Sequence, residues 1–219
     1  MKIAEIFYSL QGEGSLIGVP SVFIRTSGCN LRCRWCDTPY TSWHPEGADM
    51  SLDAIVEQAC SSGAAYAVVT GGEPMIAPGI IELTHRLRDS GFHITIETAG
   101  TVYADVACDL MSISPKLANS TPEGPFRSQH ERLRYNPEVL SKLMQQYSHQ
   151  LKFVVAAPED LEEIRSYSAD KRNIILMPEG TRPEVLKERS RWLAEICKRE
   201  GYRYSPRLHV DLWGDKRGV

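Results

Sequence analysis

The sequence has no long apolar run and no excess of one charge, and these two absences exclude several classes of protein. No segment approaches the ~20 consecutive apolar residues of a membrane-spanning helix, and residues 1–5 do not begin the apolar core of a signal peptide. The 25 basic and 28 acidic residues are mixed along the chain, so the net charge of −3 does not favour nucleic acid or an anionic membrane as a partner. We expect a cytoplasmic protein that acts on a small molecule.

Cysteine is too scarce for a disulfide-stapled fold. Six cysteines in 219 residues do not resemble the framework of a small secreted domain, and a reducing compartment keeps thiols available for metal. The chain also has no internal repeat and no low-complexity tract. Its hydrophobic content of 42% is sufficient to fill one substantial core, so we predict a single domain over residues 1–219.

Three of the six cysteines are packed into eight residues: Cys29, Cys33 and Cys36. Thiolates at this spacing can reach one soft metal centre, and iron-sulfur clusters are held in this way. Because the loop supplies three ligands rather than four, one iron of a four-iron cluster would stay open. A small molecule with an amine and a carboxylate could chelate that iron.

The same loop leaves two simpler interpretations open. One is a zinc site, since paired cysteines are common in zinc sites, and the other is a disulfide-linked loop. The sequence offers four candidates for a fourth zinc ligand: His44, Cys60, Cys108 and Cys197. The last three lie on apolar patterns, which predicts that they are inert core residues.

Strand patterns and helix patterns alternate along the chain. The chain opens with residues 3–7, and strands are predicted at residues 21–25, 66–70, 93–97, 110–114, 151–155, 174–177 and 207–210. Helices are predicted from residue 52 to Gly63, at residues 78–89, 160–167 and 183–199, and from an Asn136-Pro137 start. This alternation predicts an α/β fold with parallel strands and right-handed crossovers, a partial (β/α)6-type open barrel. Residues 117–135 break the rhythm and are predicted to be an inserted loop or lid.

Polar motifs follow several of these strands at their carboxyl ends, which is where chemistry collects in such barrels. Gly-Gly-Glu-Pro follows one strand at residues 71–74, where two glycines permit close approach and the Glu73 carboxylate could bind an ammonium group. Glu-Thr-Ala-Gly at 97–100, Ser-Pro-Lys at 114–116 and Met-Pro-Glu-Gly at 177–180 end three more. Each motif taken alone can be explained as an ordinary turn after a strand. Because the motifs recur at the same position, the carboxyl end of a strand, they predict a site.

The motifs together resemble a known family. The C-x3-C-x2-C loop is similar to the signature of the radical S-adenosylmethionine superfamily. Nearly the whole chain resembles the 7-carboxy-7-deazaguanine synthases, through Leu-Gln-Gly-Glu-Gly at 10–14, Asp-Thr at 37–38, the three strand-end motifs at 71–74, 97–100 and 114–116, and Arg-Leu-His-Val-Asp-Leu-Trp at 207–213. No single one of these motifs is sufficient for that resemblance.

The resemblance implies a lyase of queuosine precursor biosynthesis that binds a 4Fe-4S cluster, S-adenosyl-L-methionine and Mg²⁺. It would contract the ring of 6-carboxy-5,6,7,8-tetrahydropterin to 7-carboxy-7-deazaguanine with loss of ammonia, after removal of hydrogen from C6 of the pterin. The cofactor would carry the radical chemistry, and the protein would position it. The implied partners are an electron donor such as flavodoxin and a second copy of the chain in a homodimer.

Site residues are implied only at matching positions. The cluster ligands would be Cys29, Cys33 and Cys36, and Thr38 would bind magnesium, which often takes few protein ligands. The implied S-adenosylmethionine contacts are Trp35, Cys36, Asp37, Gly72, Glu73, Ser114, Pro115, Lys116, Met177, Pro178, Glu179 and Gly180. The implied pterin pocket is Leu10, Gln11, Gly12, Glu13, Arg25, Thr70, Glu97 and His209.

Two departures from the family pattern limit what can be transferred. Some members carry a longer insertion between the first two cluster cysteines, and this chain continues through Asp215 to Val219 at its carboxyl end. We therefore expect the contact between chain terminus and substrate to be absent or rearranged. Three alternative functions stay open on the sequence: an activase of a glycyl-radical enzyme, a non-catalytic Cys-rich metal-binding module, and a cluster-based redox sensor.

Overall fold

A computed structural model describes residues 1–219 and places them in nine strands and eight α-helices. The strands are β1 (Lys2–Leu10), β2 (Pro20–Thr26), β3 (Ala48–Asp49), β4 (Tyr66–Gly71), β5 (His93–Thr98), β6 (Leu110–Ile113), β7 (His149–Val155), β8 (Ile174–Pro178) and β9 (Arg203–Tyr204). The helices are α1 (Pro39–Ser42), α2 (Leu52–Ser61), α3 (Ile80–Asp89), α4 (Arg127–Leu133), α5 (Pro137–Gln146), α6 (Asp160–Arg165), α7 (Pro183–Glu200) and α8 (Leu208–Trp213).

All nine strands form one sheet in the order β3-β1-β2-β4-β5-β6-β7-β8-β9. Strands β2, β4, β5, β6, β7, β8 and β9 run parallel, while β1 pairs antiparallel with β2 and β3. The two edge strands do not pair with each other, so the sheet stays open. The predicted α/β fold with a partial barrel of six main parallel strands is confirmed.

The open sheet curves so that its far edge returns to the loop after β1. The backbone N–H of Gly14 donates to Ser205 Oγ at 2.9 Å, and the N–H of Leu208 donates to the carbonyl of Gly12 at 2.9 Å. Ser15 N–H donates to Gln150 Oε1 on β7 at 2.8 Å. These bonds close the side of the barrel that strand pairing leaves open.

Alternate residues of the parallel strands point to opposite faces of the sheet. One face packs under the helices in a cluster of 33 buried residues, which includes Ile24, Val69, Ile96, Ile113, Phe153 and Leu176. The opposite face carries the residues in between, and toward the carboxyl ends of the strands many of these are polar: Arg25, Thr70, Glu97, Ser112 and Lys152. The strand alternation therefore separates an apolar core from a polar barrel interior.

The helix starts follow the capping residues that the sequence predicts. The side chain of Ser51 accepts from Ala54 N–H at 3.2 Å at the start of α2, and Asn136 accepts from Val139 N–H at 3.2 Å with Pro137 at the first position of α5. Such caps each contribute about 1 kcal/mol. None of the helices is both long and apolar enough to cross a bilayer.

The predicted final strand at residues 207–210 is wrong, because this segment begins helix α8. The strand that pairs with β8 is instead Arg203–Tyr204, and Pro206, which has no N–H to donate to a ladder, follows two residues later. Val210 N–H then donates to the carbonyl of Arg207 at 3.0 Å, which starts a helical turn. The change brings the residues of α8 over the mouth of the barrel.

The prediction that Cys60 is a core residue is also wrong. Helix α2 buries Ile55 and Ala59 on one face, whereas Cys60 lies one position further around the helix and is exposed. Cys197 is buried in α7 as predicted, and Cys108 is half-buried. A single helical step of about 100° is enough to move a residue from the apolar stripe to solvent.

The predicted inserted segment at 117–135 contains a 3-10 helix at Ala118–Ser120 followed by α4. Its contacts reach the cysteine loop. Arg34 N–H donates to the carbonyl of Ser120 at 2.9 Å, and Arg32 N–H donates to Nδ1 of the buried His130 at 3.2 Å. Because Nδ1 accepts, Nε2 carries the proton and donates to Ser120 Oγ at 2.9 Å. The insert thus supports the cysteine loop with neutral hydrogen bonds.

Candidate active site

A cavity of about 530 Å³ lies where the parallel strands end. Its walls come from the loop after β1, the cysteine loop, the carboxyl ends of β4 to β8, and the chain from α8 onward. Eighteen of the residues that the sequence predicts for a site line it: Leu10, Gln11, Gly12, Glu13, Arg25, Cys29, Cys33, Trp35, Cys36, Asp37, Thr38, Thr70, Gly72, Glu97, Ser114, Lys116, Met177 and His209. Five predicted residues are not part of the wall: Glu73, Pro115, Pro178, Glu179 and Gly180.

The three clustered cysteines all reach this cavity as free thiols. Cys29 Sγ accepts a hydrogen bond from Leu31 N–H at 3.4 Å, and Cys36 Sγ lies 3.2 Å from Ser42 Oγ. Burial raises the pKa of Cys29 to about 11 and that of Cys33 to about 12. Because the thiolate is the metal ligand, these thiols require a strongly electrophilic centre that releases their protons on binding.

The donor set and the surrounding wall suit an iron-sulfur cluster. All three soft thiols line the cavity, and they pack in or against one small apolar cluster that contains Leu31 and Ala99. No group of three or more His, Cys, Asp or Glu side chains is arranged to hold a single metal ion. The four residues that the sequence left open as a fourth zinc ligand all lie outside the cavity wall: His44, Cys60, Cys108 and Cys197.

The Gly-Gly-Glu-Pro motif packs backbone against backbone. A Cβ on Gly71 would lie 2.1 Å from the carbonyl oxygen of Thr26, and a Cβ on Gly72 would lie 2.0 Å from that of Gly28. Only glycine fits at these two positions, because no side chain can share the space with a main-chain oxygen. Gly72 therefore exposes its backbone to the cavity beside the cysteine loop.

Glu73 lies behind this backbone and is fully buried. Its carboxylate accepts from Thr98 Oγ1 at 2.7 Å, from Ala99 N–H at 2.8 Å and from Met75 N–H at 3.1 Å. Burial raises the pKa of Glu73 even though these three donors act to lower it. The motif thus brings Gly72, but not the Glu73 carboxylate, to the cavity surface.

The Ser-Pro-Lys motif presents a charged side chain to the cavity. Lys116 Nζ donates to the carbonyl of Ser114 at 2.9 Å and to Ser114 Oγ at 2.8 Å, and it lies 5.8 Å from the centre of the Trp35 ring. Trp35 Nε1–H donates to the carbonyl of Asn119 at 3.0 Å, which fixes the ring against the insert. Lys116 and Trp35 together form a cationic and aromatic wall close to the thiols.

Thr38 lies on the same side of the cavity as the cysteines. Its Oγ1 lies 3.8 Å from Cys36 Sγ and accepts a weak hydrogen bond from Thr41 Oγ1 at 3.4 Å. Thr38 precedes Pro39, the first residue of α1, and makes no side-chain cap to that helix. Its hydroxyl is therefore free to contact an ion or a ligand in the cavity.

The polar interior face of the sheet forms the opposite part of the wall. Glu97 accepts from Thr70 Oγ1 at 2.9 Å and from Gln11 Nε2 at 3.4 Å. A Cβ on Gly12 would lie 2.2 Å from Nδ1 of His209, so the glycine is what allows His209 to approach. Burial lowers the pKa of His209, which favours the neutral imidazole in this wall.

Arg25 lines the cavity and also forms an ion pair with Glu5. Its Nε lies 2.7 Å from Oε1 of Glu5, without the alignment of a hydrogen bond, and its guanidinium carbon lies 5.4 Å from the centre of the Phe7 ring. Its side chain is 18% exposed, and that exposure is to the cavity. The outer nitrogens of the guanidinium remain available to an anion.

Sequence reasoning missed two buried charged residues of the wall, Lys152 and Arg207. Lys152 Nζ lies 3.0 Å from Glu13 Oε2 and 3.0 Å from Glu97 Oε1. Arg207 donates from Nε to Glu13 Oε1 at 3.2 Å and from Nη1 to the carbonyl of Gly180 at 2.7 Å, and it also pairs with Asp37. A signal was present for Lys152, which interrupts an otherwise apolar run at 151–155.

These two cations determine the charge of the wall. Burial would raise the pKa of Glu13, but Lys152 and Arg207 lower it well below its ordinary value. Burial likewise would raise the pKa of Asp37, but Arg207 lowers it. The wall therefore holds ionised carboxylates beside two fixed cations.

The carboxyl end of the chain also lines the cavity. Residues 214–219 all contribute to the wall, and Arg217 donates to Glu5 Oε2 at 3.2 Å and to Glu46 Oε2 at 3.0 Å. Its guanidinium stacks 3.9 Å from the centre of the Tyr40 ring. The carboxyl-terminal residues thus form part of the cavity wall, held there by the contacts of Arg217.

Comparison with known proteins agrees with this geometry. The model of the radical SAM superfamily matches residues 23–148, which covers the cysteine loop and the motifs at the ends of β4, β5 and β6. The chain is a member of that superfamily. The crystal structure of SuiB from Streptococcus suis bound to the precursor peptide SuiA is 13% identical over 84% of this chain and 47% of that chain, with a TM-score of 0.58, and this likeness shows the fold alone.

Closer relatives narrow the assignment. The 7-carboxy-7-deazaguanine synthase of Halobacterium salinarum is 45% identical over 98% of this chain and 91% of its own length, and that of Rhodopirellula baltica is 43% identical over 100% and 89%. The crystal structure of QueE from Escherichia coli matches with a TM-score of 0.71 and 28% identity, over 95% of this chain and 94% of that chain. The chain belongs to the 7-carboxy-7-deazaguanine synthase family, as the sequence motifs predict.

Proposed function

We propose that this chain converts 6-carboxy-5,6,7,8-tetrahydropterin to 7-carboxy-7-deazaguanine with release of ammonia, as a step toward queuosine and related deazapurines. One observation carries the proposal: a single cavity is lined both by the three thiols and by the Gln11, Glu13 and Glu97 wall. A cluster site alone would suit many radical reactions. The polar wall adds a place for a nitrogen-rich heterocycle next to that cluster.

The cysteine side of the cavity would hold the cofactors. Cys29, Cys33 and Cys36 would bind three irons of a 4Fe-4S cluster, and the fourth would be left to S-adenosylmethionine. When bound, this pair supplies the reducing and radical chemistry. The Gly72 backbone, Ser114, Lys116 and Met177 would hold the rest of S-adenosylmethionine, with Trp35 covering it.

Glu73 would act on that half of the site indirectly. Its carboxylate accepts from the N–H groups of Met75 and Ala99 and so fixes the turn that presents Gly72. The carbonyl groups of that turn, together with Ser114, would receive the ammonium group of S-adenosylmethionine. Asp37, Pro115, Pro178, Glu179 and Gly180 would contribute by shaping the loops around the cofactor.

The polar side would orient the pterin. Its ring N–H donors match the carboxylates of Glu13 and Glu97 and the side-chain oxygen of Gln11, since ionised carboxylates are acceptors only. The substrate carboxylate would pair with Arg25, because a guanidinium can grip a carboxylate with two parallel hydrogen bonds, and His209 would add a further contact. Leu10, Gly12 and Thr70 would complete the pocket.

Further parts of the proposal concern magnesium, partners and organisation. Thr38 would contribute a hydroxyl to Mg²⁺, whose other ligands would be substrate oxygens and water. The reducing electron would come from a donor such as flavodoxin, and the working unit would be a homodimer of single-domain subunits. The segment at 117–135 would cover the cluster loop.

The test is an anaerobic incubation of reconstituted protein with dithionite, S-adenosylmethionine, Mg²⁺ and the carboxylated tetrahydropterin, followed by mass spectrometry. We expect 7-carboxy-7-deazaguanine as the product, and none when the carboxyl group is missing from the substrate. A matched incubation with the Cys33→Ala variant should give no product. Cleavage of S-adenosylmethionine without any change in the pterin would contradict the proposal.

A further inference from the structure

Lys152 is a buried cation inside the barrel that no part of the reaction scheme above uses. Its side chain is only 3% exposed, and it lies on β7 between Leu151 and Phe153, both of which are in the apolar core. Its Nζ lies 3.0 Å from a carboxylate oxygen of Glu13 and 3.0 Å from one of Glu97. A buried lysine is costly unless it is paired, so its position calls for a specific role.

The charge on Lys152 is maintained by these two carboxylates. Burial acts to lower the pKa of the lysine, but Glu97 and Glu13 outweigh it and raise the pKa above its ordinary value. The two acids come from distant parts of the chain, the loop after β1 and the end of β5. Lys152 is therefore the one positive charge that joins both parts of the polar wall.

The two carboxylates depend on Lys152 to different degrees. Glu13 has a second cation, because Arg207 donates to its other oxygen at 3.2 Å. Glu97 otherwise receives only neutral donors, Thr70 Oγ1 and Gln11 Nε2. The other titratable or charged groups on the surrounding elements are Glu13 and Arg207, His209 on α8, Asp37, and Arg25 on β2, which is paired with Glu5. Loss of Lys152 would leave Glu97 without its partner cation.

We propose that Lys152 is a positioning residue that holds Glu97 as an anion, and that this pair gives the pocket its preference for the 2-amino edge of a pterin over the 2-oxo edge of a lumazine. This inference rests on the proposed function. An ionised carboxylate can only accept hydrogen bonds, and the 2-amino-4-oxo edge offers N–H donors on the exocyclic amine and on N3. A 2-oxo analogue replaces the amine with a carbonyl oxygen, which an anion repels.

The physical reason for a lysine at this position is the crowding of negative charge. Glu13 and Glu97 share one nitrogen, and two carboxylates held close together do not both stay ionised without a cation between them. Without Lys152 between them, one of the two carboxylates is expected to take up a proton, and Glu97 is the one that has no second cation. A protonated Glu97 has both an O–H donor and a carbonyl acceptor. It would therefore bind the 2-oxo edge as readily as the 2-amino edge.

The test is anaerobic isothermal titration of the cluster-loaded protein with S-adenosylmethionine and Mg²⁺ but no reductant. The two ligands are 6-carboxytetrahydropterin and its 2-oxo analogue, 6-carboxytetrahydrolumazine. We expect the wild type to prefer the pterin. We expect Lys152→Met to lose about ten- to a hundredfold in affinity for the pterin at pH 7, the range of one charged hydrogen bond, with little change for the lumazine.

Two readouts separate this role from a merely structural one. Lys152→Met should recover pterin affinity as the pH is raised, because a protonated Glu97 then becomes ionised again, whereas the wild type should show no such recovery. Infrared spectra should show a protonated carboxyl band in Lys152→Met that is absent in the wild type and in the double variant Lys152→Met/Glu97→Gln. Lys152→Arg should retain most of the preference for the pterin.

Each remaining outcome decides one of the two claims. Equal loss of both ligands in Lys152→Met, with no carboxyl band and no pH dependence, would overturn the role of Lys152. If Lys152→Met does not fold, the comparison is made with Lys152→Arg and with the double variant Lys152→Met/Glu97→Gln. A double variant that still prefers the pterin would overturn the proposed role of Lys152. If the wild type binds neither ligand, the proposed function fails instead, while the infrared band still decides whether Lys152 keeps Glu97 ionised.

Discussion

Arg207 donates from Nε to Oε1 of Glu13 at 3.2 Å, a contact between residues 194 positions apart in the sequence. The same guanidinium reaches Asp37 in the loop after the cysteines and the carbonyl of Gly180 after β8. Three strand-end loops are thus held by one buried cation on the segment that leads into α8. This side chain closes the part of the barrel that strand pairing leaves open.

Replacement of Arg207 by Met should destabilise the protein. The change removes one of two cations from the largely buried Glu13, and breaking a buried ion pair on one side costs about 3–5 kcal/mol; it also takes the cation away from the exposed Asp37. Urea unfolding of the wild type and the variant measures the difference. The matched control is Arg203→Met, whose exposed guanidinium donates only to Ser15 Oγ at 3.2 Å and should cost far less. Equal losses in the two variants would contradict this role.

Loss of any one cluster cysteine should abolish iron binding. Cys29→Ala, Cys33→Ala and Cys36→Ala each remove one of the three proposed cluster ligands, so we expect little iron or sulfide after anaerobic reconstitution and no turnover. Metal and sulfide analysis measures this directly. Cys60→Ser is the best control, because this thiol is exposed on α2 and away from the cavity. Iron content that falls as far in Cys60→Ser would overturn the ligand assignment.

Arg25→Met should weaken binding of the carboxylated pterin while the fold and the cluster are retained. A substrate carboxylate without its partner in a closed pocket costs on the order of 3–5 kcal/mol, or roughly a hundred- to a few thousandfold in affinity. His209→Ala should act in the same direction but less strongly, by about 1.5–3 kcal/mol for one hydrogen bond to a charged group. Titration calorimetry with S-adenosylmethionine present tests both variants.

The control for Arg25 is Arg88→Met, which removes an exposed cation from the end of α3. This control should bind the pterin like the wild type. If Arg25→Met also binds the pterin like the wild type, Arg25 does not bind the substrate carboxylate and the proposed pterin pocket is wrong. The guanidinium would then serve only the ion pair with Glu5.

Thr38→Ala should change the magnesium requirement and leave S-adenosylmethionine binding intact. Its hydroxyl faces the cavity near Cys36 and caps no helix, so its removal would take away the proposed protein ligand of Mg²⁺, a cation that often binds few protein ligands. Turnover as a function of Mg²⁺ concentration should shift to higher concentration or reach a lower plateau. Thr121→Ala in the insert, outside the cavity wall, is the control. An unchanged magnesium curve for Thr38→Ala would reject the assignment.

Much of the fold was predictable because each of several parallel strands carries two signals in the sequence. Their cores are apolar, and a polar motif follows at the carboxyl end, as in residues 66–70 and the Gly-Gly-Glu-Pro that comes next. Because such ends converge at one edge of the sheet, the sequence alone predicts that Cys29, Thr70 and Glu97 lie in one site. The structure places all three in one cavity wall.

The features that the sequence alone could not show depend on tertiary contacts. The segment after Pro206 has strand-like residues, but its hydrogen bonds go to its own helical turn and to the loop after β1. Lys152 shares the interior face of the sheet with Gln150 and Val154, yet its two carboxylate partners are 139 and 55 residues away. Glu73 looks like a ligand in the sequence, and only the surrounding donors of β5 show that its carboxylate is enclosed.

The stoichiometry of ammonia release tests the central claim most directly. Cluster-loaded protein is incubated with dithionite, S-adenosylmethionine, Mg²⁺ and 6-carboxy-5,6,7,8-tetrahydropterin, and ammonia, deazapurine and 5'-deoxyadenosine are measured over time. We expect ammonia and 7-carboxy-7-deazaguanine to rise in equal amounts, with far less S-adenosylmethionine consumed, because the cofactor is regenerated in each turnover. Accumulation of 5'-deoxyadenosine with neither ammonia nor deazapurine would contradict the assignment of this pocket to the carboxylated pterin.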